Sequence, residues 1–456
     1  MRSRILNAAW APAVLIFAVY GMWLLVVFHS GRDPRDFIRM GLPHLEASHA
    51  SAVIKVDPHY HYYPFSVGGY DGQFYYYIAM DPANARYYFD QPTYRYTRIL
   101  YPMLARVLAL GRVDLVPDSL ILINLLAIAG GTLAVAAWLK RRRVSPWFAL
   151  TYGLFPGLFI CLQRDLAEPL AFGLAAWGVY LLGSGSKHRL TWSALVFALA
   201  ALTRETTIIF PVIYGLAYLF LRSKPAEDQR PTEASPRRRD TAIFLLIALA
   251  PLALYKVFLL VWLGDRSGGV AANILPSLVP FTGFTSWPFD ASRANELISI
   301  IIPGIACALV ALWRLRTHPR FIELWLLLAN VLLFVVMLNH FSYVGFGGSG
   351  RVTTGVVLSA LYCLPLFAGR RQYAGLWWLW ASFFCWMFLW PSIAVFSDKP
   401  LGVPNFAVAL GLVLALSWLT SSQARTASES LPDGSPRALR PWDTIRSFMR
   451  NTQSIP

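Results

Sequence analysis

The chain has 456 residues, a formal net charge of +16, 56% hydrophobic residues, only 14% charged residues and a mean hydropathy of +0.49. A soluble domain carries about 25% charged residues, so a chain this apolar cannot cover a water-facing surface, and the roughly three soluble domains that length alone suggests are excluded. The positive excess sits between apolar runs, where it reads as a membrane-topology signal and argues against nucleic-acid binding.

The first apolar run, 8–28, follows Arg2 and Arg4. It is longer than the apolar core of a usual signal peptide, and no small-x-small cleavage site follows it closely, so it is expected to remain as an anchor. Further runs lie at 119–139, 145–163, 166–183, 187–203, 206–222, 241–263, 294–314, 321–340, 353–369, 373–393 and 402–420. Each approaches the ~20 residues that cross the hydrocarbon core, and a backbone in lipid must satisfy its own hydrogen bonds. The expectation is an all-α, polytopic transmembrane bundle of about twelve spans. Nothing resembles the alternating ten-residue strands of an outer-membrane barrel.

Basic clusters occur at Arg2 and Arg4, 140–143, Lys187 and Arg189, 222–239, 314–320, Arg370 and Arg371, and after residue 420. They fall on alternate sides of successive spans, the positive-inside pattern. This places both termini in the cytoplasm of a cell with an inner (plasma) membrane, and makes lipid attraction a secondary role of the charge.

Between the first two spans, 29–118 is the longest non-spanning segment and faces outward. Twelve of the 21 tyrosines lie between Tyr60 and Tyr101, which suggests a folded cap at the headgroup level. Within it, 99–111 is apolar but short, and reads as a re-entrant or interfacial helix. Residues 1–420 are expected to form one transmembrane domain, with a flexible cytoplasmic loop at 223–240. Residues 421–456, rich in Ser, Pro and Arg, are expected to be a disordered cytoplasmic tail. Cys161, Cys307, Cys363 and Cys385 all fall in expected spans and read as buried small hydrophobes. No internal repeat is evident, which weighs against transporters built from duplicated halves.

Ionisable residues near a membrane are costly and therefore informative. At the outward ends stand Asp71 and Asp81, then Arg164, Asp165 and Glu168, then Arg204 and Glu205, then His340 and Arg351; Lys256 lies in the outer third of the seventh span. Acids and bases from distant segments thus converge on one face. Each also has a plain reading: outward loops hold some charges, Asp165 and Glu168 suit the first turn of a helix, and Arg351 could snorkel to the interface. Asp71 lies just before a helix-like run and suits an N-cap, a general base or a metal ligand.

Tyr-Asp-Gly-Gln-Phe-Tyr-Tyr-Tyr-Ile-Ala at 70–79, followed by Tyr-Arg-Tyr-Thr-Arg-Ile-Leu-Tyr-Pro at 94–102, resembles the first outer loop of bacterial membrane proteins associated with forming cell-surface glycopolymers. More distantly it resembles glycosyltransferases of the GT-C superfamily, including the mannosyltransferases of glycolipid-anchor synthesis. The segments 164–174, 201–211 and 348–355 resemble later stations of the same superfamily, in the same order. Tyr70 stands where a Trp or His often precedes the Asp, and no adjacent Asp-Asp or Glu-Asp pair is present, which leaves metal binding by this loop open.

The resemblance implies a GT-C bundle that takes a sugar from a polyprenyl-phosphate carrier and gives it to a cell-surface glycan or lipid acceptor on the outer face, among membrane lipids. It implies Asp71 as base, and Arg351, Arg204 and Lys256 as binders of the donor phosphate. Asp165, Glu168, Arg164, Gln73 and Tyr70 are expected to orient those groups or to bind sugar. No cofactor and no set of metal ligands is assigned. No Gly-rich nucleotide loop occurs, nor a soluble domain large enough for a nucleotide-sugar fold, which favours a lipid-linked donor. A flippase for lipid-linked sugars and a non-catalytic scaffold of envelope assembly are the alternative readings.

Overall fold

The computed structural model describes residues 8–40, 69–88, 91–221, 236–264 and 276–368. Among the described residues the protein is helical throughout and contains no strand. Helix α1, Trp10–His29, is twenty residues of nearly unbroken apolar sequence. It ends where Gly31 takes a φ of +88°, a conformation that glycine adopts without steric cost.

The described part of the 29–118 segment carries α2, Gly72–Met80, and α3, Leu100–Leu108. These pack on each other and on the start of α4, Val116–Arg141. Tyr75, Tyr76, Tyr77, Tyr96 and Tyr101 are buried here and form a core separate from that of the main bundle. Tyr75 meets Tyr101 edge to face at 5.3 Å, the arrangement that the aromatic quadrupole favours. These rings therefore serve packing. Leu104, Val107 and Leu108 of α3 remain exposed, an apolar side suited to an interfacial helix.

The run 145–163 departs from a single span. It breaks into Pro146–Ala149, Leu150–Gly153 and α5, Pro156–Leu162. Pro156 is the cause: it lacks a backbone N–H, and it holds Phe155 extended at φ −62°, ψ 124°. The broken stretch is almost wholly buried in protein, the setting in which irregular backbone is tolerated at membrane depth.

Next come α6, Glu168–Leu182, α7, Arg189–Thr203, and α8, Ile209–Phe220. Helices α4 and α6 approach closely at small residues: a Cβ on Gly173 would lie 2.8 Å from the Ala127 carbonyl oxygen. Small residues are what allow membrane helices to pack backbone to backbone. Helix α9, Arg238–Leu263, contains Pro251 without a break. Helix α10, Ala291–Glu296, runs through a wide turn into α11, Ile302–Leu315. The remainder is α12, Ile322–Val331, α13, Phe346–Val352, and α14, Thr354–Cys363.

Among the described residues, four helical stretches are long and apolar enough to cross a membrane: Trp10–His29, Val113–Arg141, Arg238–Leu263 and Ser292–Leu315. The other apolar helices have 10–17 residues, and a 15-residue helix is only about 22 Å long against a hydrocarbon core of about 30 Å. This is a membrane protein by its apolar helices, with four of the expected spans reaching full length among the described residues. The expected spans 373–393 and 402–420, Cys385, the tail and most of the 223–240 loop lie outside the described residues. The last residues of that loop, from Arg238, form the first turn of α9.

The bundle has two chemically distinct ends. One gathers the C-terminus of α4, where Arg141 donates to the Tyr180 carbonyl at 2.9 Å, and the start of α7, where Arg189 donates to the Leu182 carbonyl at 3.3 Å. Its charges are mostly basic. The other end gathers the starts of α4 and α6, the ends of α7 and α9, and all of α13. There acids and bases interleave.

Candidate functional site

At this second end the charged side chains of the cluster come from five separate stretches of chain. Asp71 occupies the N-cap position of α2, yet its carboxylate caps nothing. Oδ1 accepts from Arg95 Nη1 at 2.9 Å and Oδ2 from Arg351 Nη1 at 2.7 Å. Arg95 closes the short helix Pro92–Arg95 and lies over the Phe74 ring, 3.8 Å from its centre. Arg351 lies at the end of α13. Residues 280 apart in sequence are thus joined by one carboxylate. Burial alone would raise the pKa of Asp71, but the guanidinium groups of Arg351 and Arg95, helped by the charge of Arg98, hold it well below the usual carboxylate range.

A second carboxylate extends the cluster. Glu168 is the first residue of α6 and is fully buried. Its Oε1 lies 2.7 Å from Arg204 Nη1 and 3.5 Å from Arg351 Nε. Arg204 follows the last residue of α7 in an extended conformation that turns its side chain back to α6. Next to it, Glu205 accepts two hydrogen bonds from Arg98, at 3.3 Å from Nε and 3.0 Å from Nη2. Arg98 also donates to the Tyr94 hydroxyl at 2.5 Å.

Tyr70 forms the floor. Its ring lies 4.4 Å from the Arg164 guanidinium carbon and 5.4 Å from that of Arg351, within the range of cation–π attraction. Its hydroxyl donates to the Gly347 carbonyl at 3.1 Å. Gln73 is buried on α2, two residues beyond Asp71. The close fit extends to the backbone: a Cβ on Gly72 would sit 2.3 Å from the Arg164 carbonyl oxygen.

Among the described residues, five arginines (Arg95, Arg98, Arg164, Arg204 and Arg351) share this cluster with three carboxylates, Asp71, Glu168 and Glu205. The Nε atoms of Arg164, Arg204 and Arg351 are buried and donate no hydrogen bond among the described residues. The arrangement therefore holds more guanidinium groups than carboxylates, and the Arg164 and Arg204 Nε donors are not taken by any described acceptor. A phosphate has the matching charge and acceptor geometry.

Of the sequence-derived candidates, Tyr70, Asp71, Arg164, Glu168, Arg204 and Arg351 come together here. Asp165 lies beside them in sequence but makes no ion pair among the described residues. It takes a φ of +46°, is fully buried, and neither carboxylate oxygen has a hydrogen-bond partner among the described residues. Burial, with the charge of Asp118 added, pushes its pKa well above the usual range. Lys256 is exposed on α9, with no salt bridge among the described residues. Asp81 is occupied locally, accepting from the Asn84 backbone and side chain at 3.2 and 2.8 Å. His340 marks the rim, where its carbonyl accepts from Trp287 Nε1 at 2.9 Å.

Sequence reasoning passed over Arg95 and Arg98, although both stand in the Tyr-Arg-Tyr-Thr-Arg segment. Their three-residue spacing puts them on one side of a tight turn, which was the available signal. Glu205 was noted in sequence only as one charge in the outward set.

No protein-family model and no curated protein matches this chain. Among solved structures it is similar to an oligosaccharyltransferase from Archaeoglobus fulgidus, crystallised with a disulfide-tethered acceptor peptide containing the NVT sequon. The two are 16% identical, with a TM-score of 0.37, over 90% of this chain and 57% of that one. The chain thus spans somewhat over half the length of that protein, and a likeness this faint carries no argument about function.

Proposed function

We propose that this protein is a membrane glycosyltransferase of GT-C type. It moves a hexose or pentose from a polyprenyl-phosphate carrier to a cell-envelope glycan or lipid acceptor on the outer face of the inner membrane. The observation that carries the reading is the buried cluster in which Asp71 stands between Arg95 and Arg351, with spare guanidinium donors on Arg164, Arg204 and Arg351. The mostly basic opposite end supports cytoplasmic placement of that face, and hence an outward active face and about twelve spans in all. The cluster also lies at helix ends, whereas a transport site is expected near mid-membrane.

In the proposed reaction the acceptor hydroxyl oxygen bonds to the anomeric carbon of the sugar, and its proton passes to the Asp71 carboxylate. The bond between the anomeric carbon and the phosphate oxygen breaks, and its electron pair leaves with the polyprenyl phosphate. Arg351 and Arg204 stabilise that growing negative charge with guanidinium donors in a dry site. Asp71 gripped by two arginines is a weak base. The donor phosphate competes for Arg351, and as that guanidinium turns to phosphate the carboxylate regains basicity. Arg95, Arg98 and Arg164 add to the positive field, while Glu168 orients Arg204 and Arg351. Tyr70 offers a ring face to the sugar.

The test is sugar transfer in membranes from polyprenyl-phosphate-linked donors, comparing wild type with Asp71→Asn at matched expression. Transfer by wild type with a loss of about 100-fold or more in the variant is the expected result. Undiminished transfer by a folded Asp71→Asn protein removes Asp71 from the role of base.

A further inference from the structure

We infer that Glu296, acting through Ser349, is a positioning residue for Arg351; this rests on the phosphate-binding role proposed for that arginine. Arg351 belongs to α13, whose sequence is Phe-Gly-Gly-Ser-Gly-Arg-Val. Seven residues are well short of the ~12–15 at which an isolated helix becomes even marginally stable. Three of the seven are glycines, the weakest helix formers after proline.

At Gly347 and Gly348 neighbouring atoms come within the reach of a first side-chain carbon. A Cβ on Gly347 would lie 2.6 Å from Arg164 Nη1, and one on Gly348 would lie 2.5 Å from the Ser342 carbonyl oxygen. On the other side, a Cβ on Gly157 of α5 would lie 2.4 Å from the Gly350 carbonyl oxygen. Helix α13 therefore gains contact at the expense of side chains that could anchor it.

Ser349 supplies an anchor. It is fully buried, and its hydroxyl donates to Glu296 Oε1 at 2.7 Å. Its alternative acceptor, the Gly345 carbonyl, lies at 3.3 Å. Glu296 is itself fully buried, ion-paired with Arg293 at the preceding turn of α10. Helix α10 is fixed at its start by Asp290, whose carboxylate accepts from the Arg293 backbone N–H at 2.8 Å. It continues into the membrane-length stretch Ser292–Leu315. A firm post, Glu296, thus holds a weak helix two residues before Arg351. An error of about 1 Å in placing a binding group costs on the order of 100-fold in rate, so the register of α13 bears directly on the cluster.

The experiment measures equilibrium binding of a radiolabelled polyprenyl monophosphate to the purified full-length chain in detergent micelles. The proteins are wild type, Ser349→Ala, Ser349→Thr and Glu296→Gln, each also in an Arg351→Lys background. Ser349→Ala is expected to weaken binding about tenfold, and Ser349→Thr, which keeps the hydroxyl, by less than about threefold. Glu296→Gln keeps an acceptor oxygen and falls between, providing a second reading should Ser349→Ala fail to fold. In the Arg351→Lys background the effect of either change is expected to shrink below about twofold, because coupled residues are not additive. Binding unchanged by Ser349→Ala and Glu296→Gln overturns the inference. So does a full loss that persists in the Arg351→Lys background, since it shows general structural damage. Absence of binding by wild type overturns the phosphate role of the cluster itself, and this inference with it.

Discussion

Glu168→Gln tests the ionic cluster directly. The change removes one charge and keeps the shape. Glu168 is 0% exposed, and its partner Arg204, 2.7 Å away, is 6% exposed. An exposed ion pair is worth about 0–1 kcal/mol, whereas removing one partner of a buried pair costs about 3–5 kcal/mol, because the remaining charge stays buried without its counter-ion. Burial here selects the second regime. Arg351 keeps its bond to Asp71 at 2.7 Å, so the loss falls mainly on Arg204. The glutamine amide oxygen still accepts one hydrogen bond. The expected destabilisation is therefore at the lower end, about 3 kcal/mol. It is measured by denaturant unfolding of the purified full chain in mild detergent. Glu168→Gln combined with Arg204→Met removes the stranded charge along with its partner, and is expected to recover more than half of the loss. A single variant within about 1 kcal/mol of wild type, or a double variant less stable than the single one, refutes the reasoning.

Two further substitutions follow from other features of the site. Gly72→Ala improves helix propensity by about 1 kcal/mol, but its Cβ would meet the Arg164 carbonyl at 2.3 Å. Backbone cannot yield cheaply, so overpacking of about 1–3 kcal/mol prevails; a lowered melting temperature together with loss of transfer is the expected result, and a stabilised, active variant refutes the close approach. Asp165→Asn goes the other way. With its folded pKa raised, the buried acid must hold its proton, so wild type loses up to about 1.4 kcal/mol of stability per pH unit above its unfolded pKa of about 3.9 until the folded pKa is reached. Asparagine carries no such cost and tolerates the left-handed backbone at this position. The stability gain of Asp165→Asn is therefore expected to grow as the pH rises above the unfolded pKa of about 3.9; equal pH profiles for the two proteins contradict it.

Much of the architecture was legible before any coordinates. Apolar runs placed α1, α4, α6, α7, α8 and α9 to within a few residues, because lipid demands helices and water demands polar breaks between them. The run 145–163 is apolar throughout, and only the missing N–H of Pro156 divides it, ending one short helix at Gly153 and opening the next. Within the site, the charges of Asp71, Glu168, Arg204 and Arg351 stood out because ionisable groups are rare at membrane depth. Their partners did not. Nothing in linear order says that Asp71 meets Arg351 rather than Lys256, or that Asp165 and Glu168, three residues apart, have opposite environments. That separation arises at the turn before α6, where the left-handed backbone of Asp165 carries its side chain away from the arginines while Glu168 opens the helix facing them.

The sequence by itself determined that the chain is helical and lives in a bilayer, and that acids and bases gather at the span ends opposite the basic clusters. Those are properties of composition and period, and they survive any arrangement of the helices. Only the tertiary structure decided which charge neutralises which, because an ion pair needs its atoms within about 4 Å and that distance is set by packing across hundreds of residues. The join of Asp71 to Arg351, the burial of Glu168 between two guanidiniums and the hold of Glu296 on a glycine-rich helix all belong to that second level.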